Sequence, residues 1–192
     1  MSLDFKPLEI PEVILVEPHV HRDDRGFFLE TYHAGKYAAG GIDGPFVQDN
    51  HSRSAHRTLR GLHAQRTRPQ GKLVRAVRGT IWDVAVDIRR QSPTFRRWAG
   101  AELSEDNFHQ LWIPPGFAHA FVVLSEMAEV EYKCTDLYAP DDEITIAWND
   151  PEIAVDWPLE GEPLLSGRDA AAPPLAELLD RLPVYPDAAA RD

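Results

Sequence analysis

Short β-type segments recur along most of this chain, and they constrain its fold more than any other feature. In the clearest one, Thr80–Ile88, apolar side chains occupy every second position: Trp82, Val84, Val86 and Ile88. This period of two is typical of a strand with one apolar face. Asp83 and Asp87 share the other face, which suggests a solvated stripe. Many short strands with little helix favour a β-sandwich or barrel.

Glycine, proline, asparagine and aspartate separate nine candidate strands. They are Val13–Val16, Gly26–Tyr32, Phe46–Asn50, Thr58–Ala64, Lys72–Val77, Thr80–Ile88, Gln110–Ile113, Ala118–Leu124 and Ala128–Thr135. Helix is predicted only at His33–Ala39 and at Pro174–Leu182, where leucines repeat with helical spacing. The tail from Tyr185 to Asp192 is expected to be frayed.

The length of 192 residues suits one domain, with a core at about 13–169 and a C-terminal helix and tail at 170–192. The net charge of −11 argues against nucleic acid and anionic membranes as partners. Between Arg53 and Arg97, however, twelve Lys or Arg residues face only two acids, a local balance of +10. This stretch suggests a site for a small anion.

Targeting features predict a soluble protein of the cytoplasm. The chain has one cysteine, Cys134, so it can form no intramolecular disulfide, and a reducing compartment fits. Its first residues lack the apolar core of a signal peptide, and no apolar run approaches the length needed to span a membrane.

A cupin-type motif lies at Pro114–His119, which reads P-x-G-x-x-H with Pro114, Gly116 and His119. In metal-dependent cupins the matching histidine is a ligand, together with two histidines and a glutamate of a first motif. Here Lys72 stands in place of that glutamate, and no H-x-H pair precedes it. An ammonium group opposes the binding of a divalent cation, so we predict no metal site.

Ten strings, in order along the chain, carry a further resemblance. They are Asp24–Glu30, Gln48–Ser52, Leu59–His63, Gln70–Arg75, Asp83–Arg89, Ser92–Phe95, Leu111–Pro114, Gly116–His119, Glu131–Asp136 and Asp156–Pro158. With these strings the sequence closely resembles the dTDP-4-dehydrorhamnose 3,5-epimerase family. The resemblance implies a cupin or jelly-roll fold, a flattened antiparallel β-barrel. It also implies a homodimer that exchanges N-terminal strands and uses no cofactor.

The family's reaction inverts C3 and C5 of dTDP-4-keto-6-deoxy-D-glucose, the two ring carbons beside the ketone. Such a reaction needs a base, an acid across the ring, and a cation or donor at the enolate oxygen. By resemblance, His63 is the base and Asp169 the carboxylate that orients it. Lys72 lies near the keto oxygen, and Tyr132 is the proton donor.

Ten residues are expected to bind the substrate, and the resemblance assigns eight of them. His119 is either a packing residue or a substrate contact, of which we favour the contact, and Arg168 is expected to contact a phosphate. Arg25 and Glu30 are expected to reach the pocket of the partner subunit. The full set is Arg25, Glu30, Gln48, Asp49, Asn50, Arg60, His119, Tyr138, Glu143 and Arg168. Strict alternation would put Arg60 and His63 on opposite faces of a strand. Both can serve one pocket only if Gly61 marks a bulge or the strand ends there.

Several alternatives stay open at this point. Asp83 either belongs to the solvated stripe or turns towards the pocket, and it is not included in the catalytic set. Seven other arginines of the basic stretch are expected at the solvated surface: Arg53, Arg57, Arg78, Arg89, Arg90, Arg96 and Arg97. Ala64 and Arg168 replace the family's usual aromatic residue and lysine. These departures leave a single-carbon epimerase as an alternative. A 4-keto to 3-keto isomerase on the same fold and a noncatalytic nucleotide-sugar binder are separate, less favoured alternatives.

Overall fold

The computed structural model describes residues 3–185 and consists mainly of β-strands. Two short helices, α1 (Ala34–Ala39) and α2 (Gly167–Ala170), and two 3₁₀ helices, Pro140–Asp142 and Leu175–Arg181, complete the regular structure there. The thirteen strands of this part of the chain are β1 (Leu3–Pro7), β2 (Ile14–Pro18), β3 (His21–Asp23), β4 (Gly26–Phe28), β5 (Gln48–Ala55), β6 (Leu59–Gln65), β7 (Lys72–Arg78), β8 (Thr80–Asp87), β9 (Trp98–Ser104), β10 (Gln110–Ile113), β11 (Phe117–Val123), β12 (Met127–Cys134) and β13 (Glu143–Thr145).

Two antiparallel sheets form the body of the fold. One has six strands in the order β1-β2-β10-β7-β12-β5, and the other has five in the order β13-β6-β11-β8-β9. Side chains from both sheets, such as Val74 and Val130 from one and Ile81 and Phe121 from the other, share one buried cluster between them. This arrangement confirms the predicted flattened antiparallel β-barrel.

The outer faces of both sheets are also covered. Leu175, Leu178 and Leu182 of the C-terminal segment pack against Val84 and Val86 on the outside of the five-stranded sheet. On the other sheet, Tyr37 of α1 is buried with the strand residues Val16, Leu73 and Trp112. Strand β8 is therefore buried on both faces, which explains its nearly continuous apolar sequence.

The predicted strands all overlap observed ones; Gln110–Ile113 has the bounds of β10, and the others have shifted ends. The helix at His33–Ala39 is confirmed, with the His33 side chain accepting a hydrogen bond at its N-terminus. The second predicted helix forms a 3₁₀ helix instead, at Leu175–Arg181. Four strands were missed: β1, β3, β9 and β13. The predicted frayed tail lies almost wholly outside the described residues.

The solvated stripe predicted on β8 is wrong. Asp83 and Asp87 are both fully buried, because their face of β8 turns into the barrel and shares it with Ile81 and Ala85. Asp87 accepts hydrogen bonds from the backbone and guanidinium of Arg89. The prediction that Arg89 is a surface residue is also wrong. Its side chain is buried between Asp87 and Glu12, which bond it, and its guanidinium lies over the Phe117 ring, 4.5 Å from the centroid.

A bulge on β6 resolves the question of Arg60 and His63. His63 is paired with His119 on β11, and Arg60 is paired with Phe121, so three steps on β6 match two on β11. The extra residue turns both side chains to the same side of the sheet. Gly61 lies at this irregularity with a φ of +125°, so of the two options that the sequence left open, a bulge or the end of the strand, the bulge is the observed one.

The described residues contain no helix that is long and apolar enough to cross a membrane.

Candidate active site

A cavity of about 660 Å³ opens at one end of the barrel, between the two sheets. It is lined by eleven of the fourteen residues predicted for the site: Gln48, Asn50, Arg60, His63, Lys72, His119, Tyr132, Tyr138, Glu143, Arg168 and Asp169. The size suits a small molecule rather than a macromolecule. His63 and His119 come from the five-stranded sheet, whereas Lys72 and Tyr132 come from the six-stranded sheet and face them.

His63 is held by a buried carboxylate. Its Nε2 lies 2.6 Å from Oδ1 of Asp169, which is 4% exposed. Burial acts to raise the pKa of Asp169, but the hydrogen bond and the charge of His63 outweigh it and hold the pKa below its usual value. Asp169 is therefore ionised, and it favours the tautomer of His63 in which Nε2 donates and Nδ1 is unprotonated.

The position of Asp169 follows from a local sequence signal. Ser166 is the N-cap of α2, and its Oγ accepts a hydrogen bond from the backbone N–H of Asp169 at 3.1 Å. The same hydroxyl donates to Oδ2 of Asp169 at 2.8 Å. A serine followed three residues later by an acid is a recognised helix start, so the Ser166–Asp169 spacing could have predicted this contact.

Lys72 is a buried cation without a carboxylate partner within hydrogen-bond reach among residues 3–185. Its Nζ donates to the backbone oxygen of His63 at 3.5 Å, so the ammonium lies beside the histidine. Burial lowers its pKa, although the charges of Asp83 and Glu143 act in the opposite direction. An incompletely satisfied cation in a cavity can stabilise a negative charge that develops on a bound molecule.

Tyr132 faces His63 and His119 from strand β12. Its ring centroid lies 6.2 Å from that of His119, across the gap between the two sheets. Burial raises the pKa of the Tyr132 phenol, so the hydroxyl is protonated at neutral pH. It makes no hydrogen bond to any other residue between 3 and 185, which leaves its proton free for a ligand.

Polar side chains at the mouth of the cavity are linked by hydrogen bonds and an ion pair. The hydroxyl of Tyr138 donates to Oε2 of Glu143 at 3.0 Å, and the guanidinium of Arg168 forms an ion pair with the same carboxylate. The backbone N–H of Tyr138 donates to Oε1 of Gln48 at 2.8 Å. Arg60 is fixed nearby, because its Nε donates to Oγ of Ser54 at 2.9 Å.

Three predicted residues do not line this cavity. Asp49 is on the outer face of β5, where its carboxylate accepts from Lys133 at 3.1 Å. Alternation on β5 explains this, since Gln48 and Asn50 point inwards. Glu30 pairs with Lys36, 2.6 Å away. Arg25 is almost fully exposed and bonds Asp23. The role of Arg25 and Glu30 in a partner's pocket stays a prediction.

Gln65 was not predicted, and its role depends on residues far away in the sequence. Its amide donates to the backbone oxygen of Arg68 at 2.7 Å and accepts from the backbone N–H of Ala139 at 2.8 Å. It thereby ties the loop that carries Tyr138 to strand β6. No local pattern marks such a contact.

Among residues 3–185, no three His, Cys, Asp or Glu side chains come together in a way that could hold a metal ion. His119 instead contacts Asp83, with Nε2 2.6 Å from Oδ1. Lys72 lies in the same cavity and would repel a cation.

A family model described as dTDP-4-dehydrorhamnose 3,5-epimerase matches residues 7–177. The chain belongs to this family. Among curated relatives, the dTDP-4-dehydrorhamnose 3,5-epimerase of Pseudomonas aeruginosa is 60% identical over 163 residues, which are 84% of this chain and 90% of the relative. The enzyme of the same name from Salmonella typhimurium is 53% identical over 172 residues, or 88% of this chain and 94% of the relative.

Solved structures of epimerases are also similar to this chain. An epimerase from Legionella pneumophila, in complex with dTDP-4-keto-L-rhamnose, aligns with a TM-score of 0.94 at 48% identity, covering 97% of this chain and all of that one. A 3′-monoepimerase from Streptomyces bikiniensis, in complex with dTDP-quinovose, aligns with a TM-score of 0.87 at 38% identity, covering 93% and 92%.

Proposed function

We propose that this epimerase-family chain inverts C3 and C5 of dTDP-4-keto-6-deoxy-D-glucose, giving dTDP-4-keto-L-rhamnose. The observation that carries the proposal is the His63–Asp169 pair, set beside the ammonium of Lys72 and facing the Tyr132 hydroxyl across one cavity. The four groups supply a base, its orienting carboxylate, a cation for the enolate and an acid.

His63 is the base in this mechanism. With Nε2 occupied by Asp169, Nδ1 is the nitrogen that takes the proton from C3 or C5. The electron pair of the broken C–H bond moves into the ring and onto the C4 oxygen, which forms an enolate. The ionised Asp169 stabilises the imidazolium that results, as a triad aspartate does.

Lys72 acts on the enolate oxygen. A buried cation beside the base is in place before the reaction and need not reorganise as charge develops. A single donor of this kind lowers the barrier by about 3 kcal/mol.

Tyr132 returns a proton to the opposite face of the ring. Because it lies on the six-stranded sheet and His63 on the five-stranded one, a sugar between them has one group on each face. When the tyrosinate has taken up a proton from water and the imidazolium has released one to water, the site is ready for the second carbon.

Nucleotide binding is assigned to the mouth of the cavity. Arg60 and Arg168 supply guanidinium groups for the diphosphate, and Gln48 and Asn50 supply amides. Tyr138 provides an aromatic ring for the thymine base. We further propose a homodimer, in which Arg25 and Glu30 complete the neighbouring subunit's pocket.

Incubation with dTDP-4-keto-6-deoxyglucose in heavy water tests the proposal. We expect deuterium at both C3 and C5 of the product, measured by NMR and mass spectrometry. Deuterium at one carbon alone selects the single-carbon alternative, and tight binding without exchange excludes catalysis on this substrate.

Two variants test the individual roles. His63→Ala should abolish exchange, whereas His109→Ala, which removes an imidazole outside the cavity, should leave it unchanged. Tyr132→Phe should slow epimerisation more than exchange, because the base still forms the enolate. Equal loss of both rates would contradict the role of Tyr132 as donor.

A further inference from the structure

The cavity wall carries a second pair of histidine and carboxylate that the mechanism above does not use. His63 and His119 lie directly opposite each other on the antiparallel strands β6 and β11, so their side chains are neighbours on one face. Each presents Nε2 to a buried carboxylate oxygen at 2.6 Å, Asp169 for His63 and Asp83 for His119.

Stability does not explain the presence of Asp83. Its carboxylate is fully buried, and only Oδ1 has a partner, His119. Oδ2 is buried as well and accepts no hydrogen bond from any residue between 3 and 185. A buried carboxylate with an unsatisfied oxygen is unfavourable. By comparison, Asp87 on the same strand is bonded by Arg89, Ser92 and Thr94.

The second nitrogen of His119 is available to a ligand. His119 lines the cavity, and its Nδ1 makes no hydrogen bond within residues 3–185. Its surroundings also oppose an imidazolium: burial lowers the pKa of His119, and the neighbouring Lys72 and His63 act in the same direction against the attraction of Asp83. His119 therefore carries one ring proton at neutral pH. Burial raises the pKa of Asp83, while the charge and hydrogen bond of His119 and the charge of Lys72 act to lower it, and an ionised Asp83 places the ring proton on Nε2.

We propose that Asp83 is a positioning residue: by accepting the Nε2 proton of His119, it makes Nδ1 a hydrogen-bond acceptor for a hydroxyl group of the bound sugar. The inference rests on the proposed function, because it needs a substrate that carries ring hydroxyls in this cavity. Asp83 touches no substrate atom itself and acts only through the imidazole ring.

The tautomer of His119 can be measured without any reaction. In ¹⁵N-labelled enzyme at pH 7, with the signals assigned through His119→Ala, we expect a neutral ring protonated at Nε2. Asp83→Asn should populate the Nδ1–H tautomer, because an amide can also donate to Nε2, and the same exchange in a serine protease triad gives the wrong tautomer. Asp87→Asn is the matched control, since it neutralises an equally buried carboxylate on β8 and should leave the His119 signals unchanged.

Kinetics give the second readout. Asp83→Asn should lower kcat/KM by roughly 10- to 100-fold, the range for one lost hydrogen bond in a buried site. It should cause little further loss in a His119→Ala background, because its effect passes through that ring. Asp87→Asn should leave kcat/KM unchanged for the fraction that is folded.

Either of two results would overturn the proposal. One is a wild-type His119 that is doubly protonated or protonated at Nδ1. The other is a double variant whose kcat/KM falls by the full product of the factors measured for Asp83→Asn and His119→Ala alone. The wild-type spectrum decides even if Asp83→Asn does not fold. An enzyme that shows the expected tautomer but does not act on the keto sugar would refute the proposed function alone.

Discussion

Replacing Gly61 by alanine tests the bulge that brings Arg60 and His63 into one cavity. The φ of Gly61 is +125°, a conformation that L-residues rarely adopt. A Cβ atom there would lie 2.4 Å from Cβ of Ala120 and 2.5 Å from the backbone oxygen of His119. Both contacts involve the neighbouring strand β11, so neither can be relieved by rotating a flexible side chain.

Two contributions determine the expected loss of stability. The disfavoured backbone conformation costs about 1–3 kcal/mol. Forcing a methyl group into a packed interior costs about another 1–3 kcal/mol. Gly61→Ala should therefore lower the free energy of unfolding by about 2–6 kcal/mol, a large part of the 5–15 kcal/mol typical of a domain. Any folded variant should also lose activity, because Arg60 and His63 flank the substitution.

Gly44→Ala separates the two contributions. Gly44 has nearly the same φ, +128°, but a Cβ atom there would have its nearest neighbour at 3.8 Å, an ordinary contact. It should lose only the backbone contribution, about 1–3 kcal/mol. Both variants are compared with the wild type by urea unfolding at one protein concentration. Equal losses in the two variants, or full activity in Gly61→Ala, would refute the argument that close packing against β11 fixes the bulge.

Two further predictions concern buried charges, and a third concerns the metal-free mechanism. Lys72→Met should lower kcat about a hundredfold yet raise the free energy of unfolding at neutral pH by about 1–2 kcal/mol, as urea unfolding would show. Burial lowers the pKa of Lys72 in the folded state below its pKa in the unfolded chain. The stability gained by Lys72→Met should therefore be largest below the folded-state pKa and shrink as the pH rises from there towards the unfolded-state pKa. A gain that does not change with pH would contradict the assignment of Lys72 as a buried cation. Arg89→Lys should cost about 3 kcal/mol in unfolding free energy and leave kcat unchanged, because its partners Asp87 and Glu12 lie outside the cavity. Treatment with EDTA should leave the rate unchanged, and a loss restored by a divalent metal would contradict a metal-free mechanism.

Local sequence patterns predicted most of the strands and could have predicted one turn of the site. Alternation identified β8, and the Ser166–Asp169 spacing marks the start of α2 with its carboxylate in place. These features depend on residues within one segment, where the period of side chains and the capping of a helix are decided. The bulge at Gly61 is at the limit of such reasoning, because alternation could state the conflict between Arg60 and His63 but not resolve it.

The environment of β8 could not be read from its own sequence. Whether Asp83 and Asp87 meet water depends on what covers the strand, and the cover comes from Leu175, Leu178 and Leu182, almost a hundred residues later. With the apolar face of β8 packed against that segment, the face with the acids points into the barrel. An alternating strand predicts that its two faces differ, but not which of them faces solvent.

The basic stretch at residues 53–97 led to the prediction of a site for a small anion, but most of its cations are not the groups that line the cavity. Much of its charge is neutralised by acids that follow it in sequence: Arg53 pairs with Glu129 and Arg75 with Glu131. Both acids lie on β12, which runs between β5 and β7, so the sheet interleaves segments of opposite charge. These paired cations attract a ligand anion less than an unpaired cation does, since each already has its carboxylate.

The charge that remains for an anion is much smaller than +10. Arg60 and Lys72 line the cavity without an ion pair to any residue between 3 and 185, and Arg168 shares the carboxylate of Glu143. A cation that is held by neutral groups, as Arg60 is by Ser54, keeps its full attraction for a phosphate. Anion affinity in this fold is therefore determined by which cations the sheet leaves unpaired, rather than by how many the sequence contains.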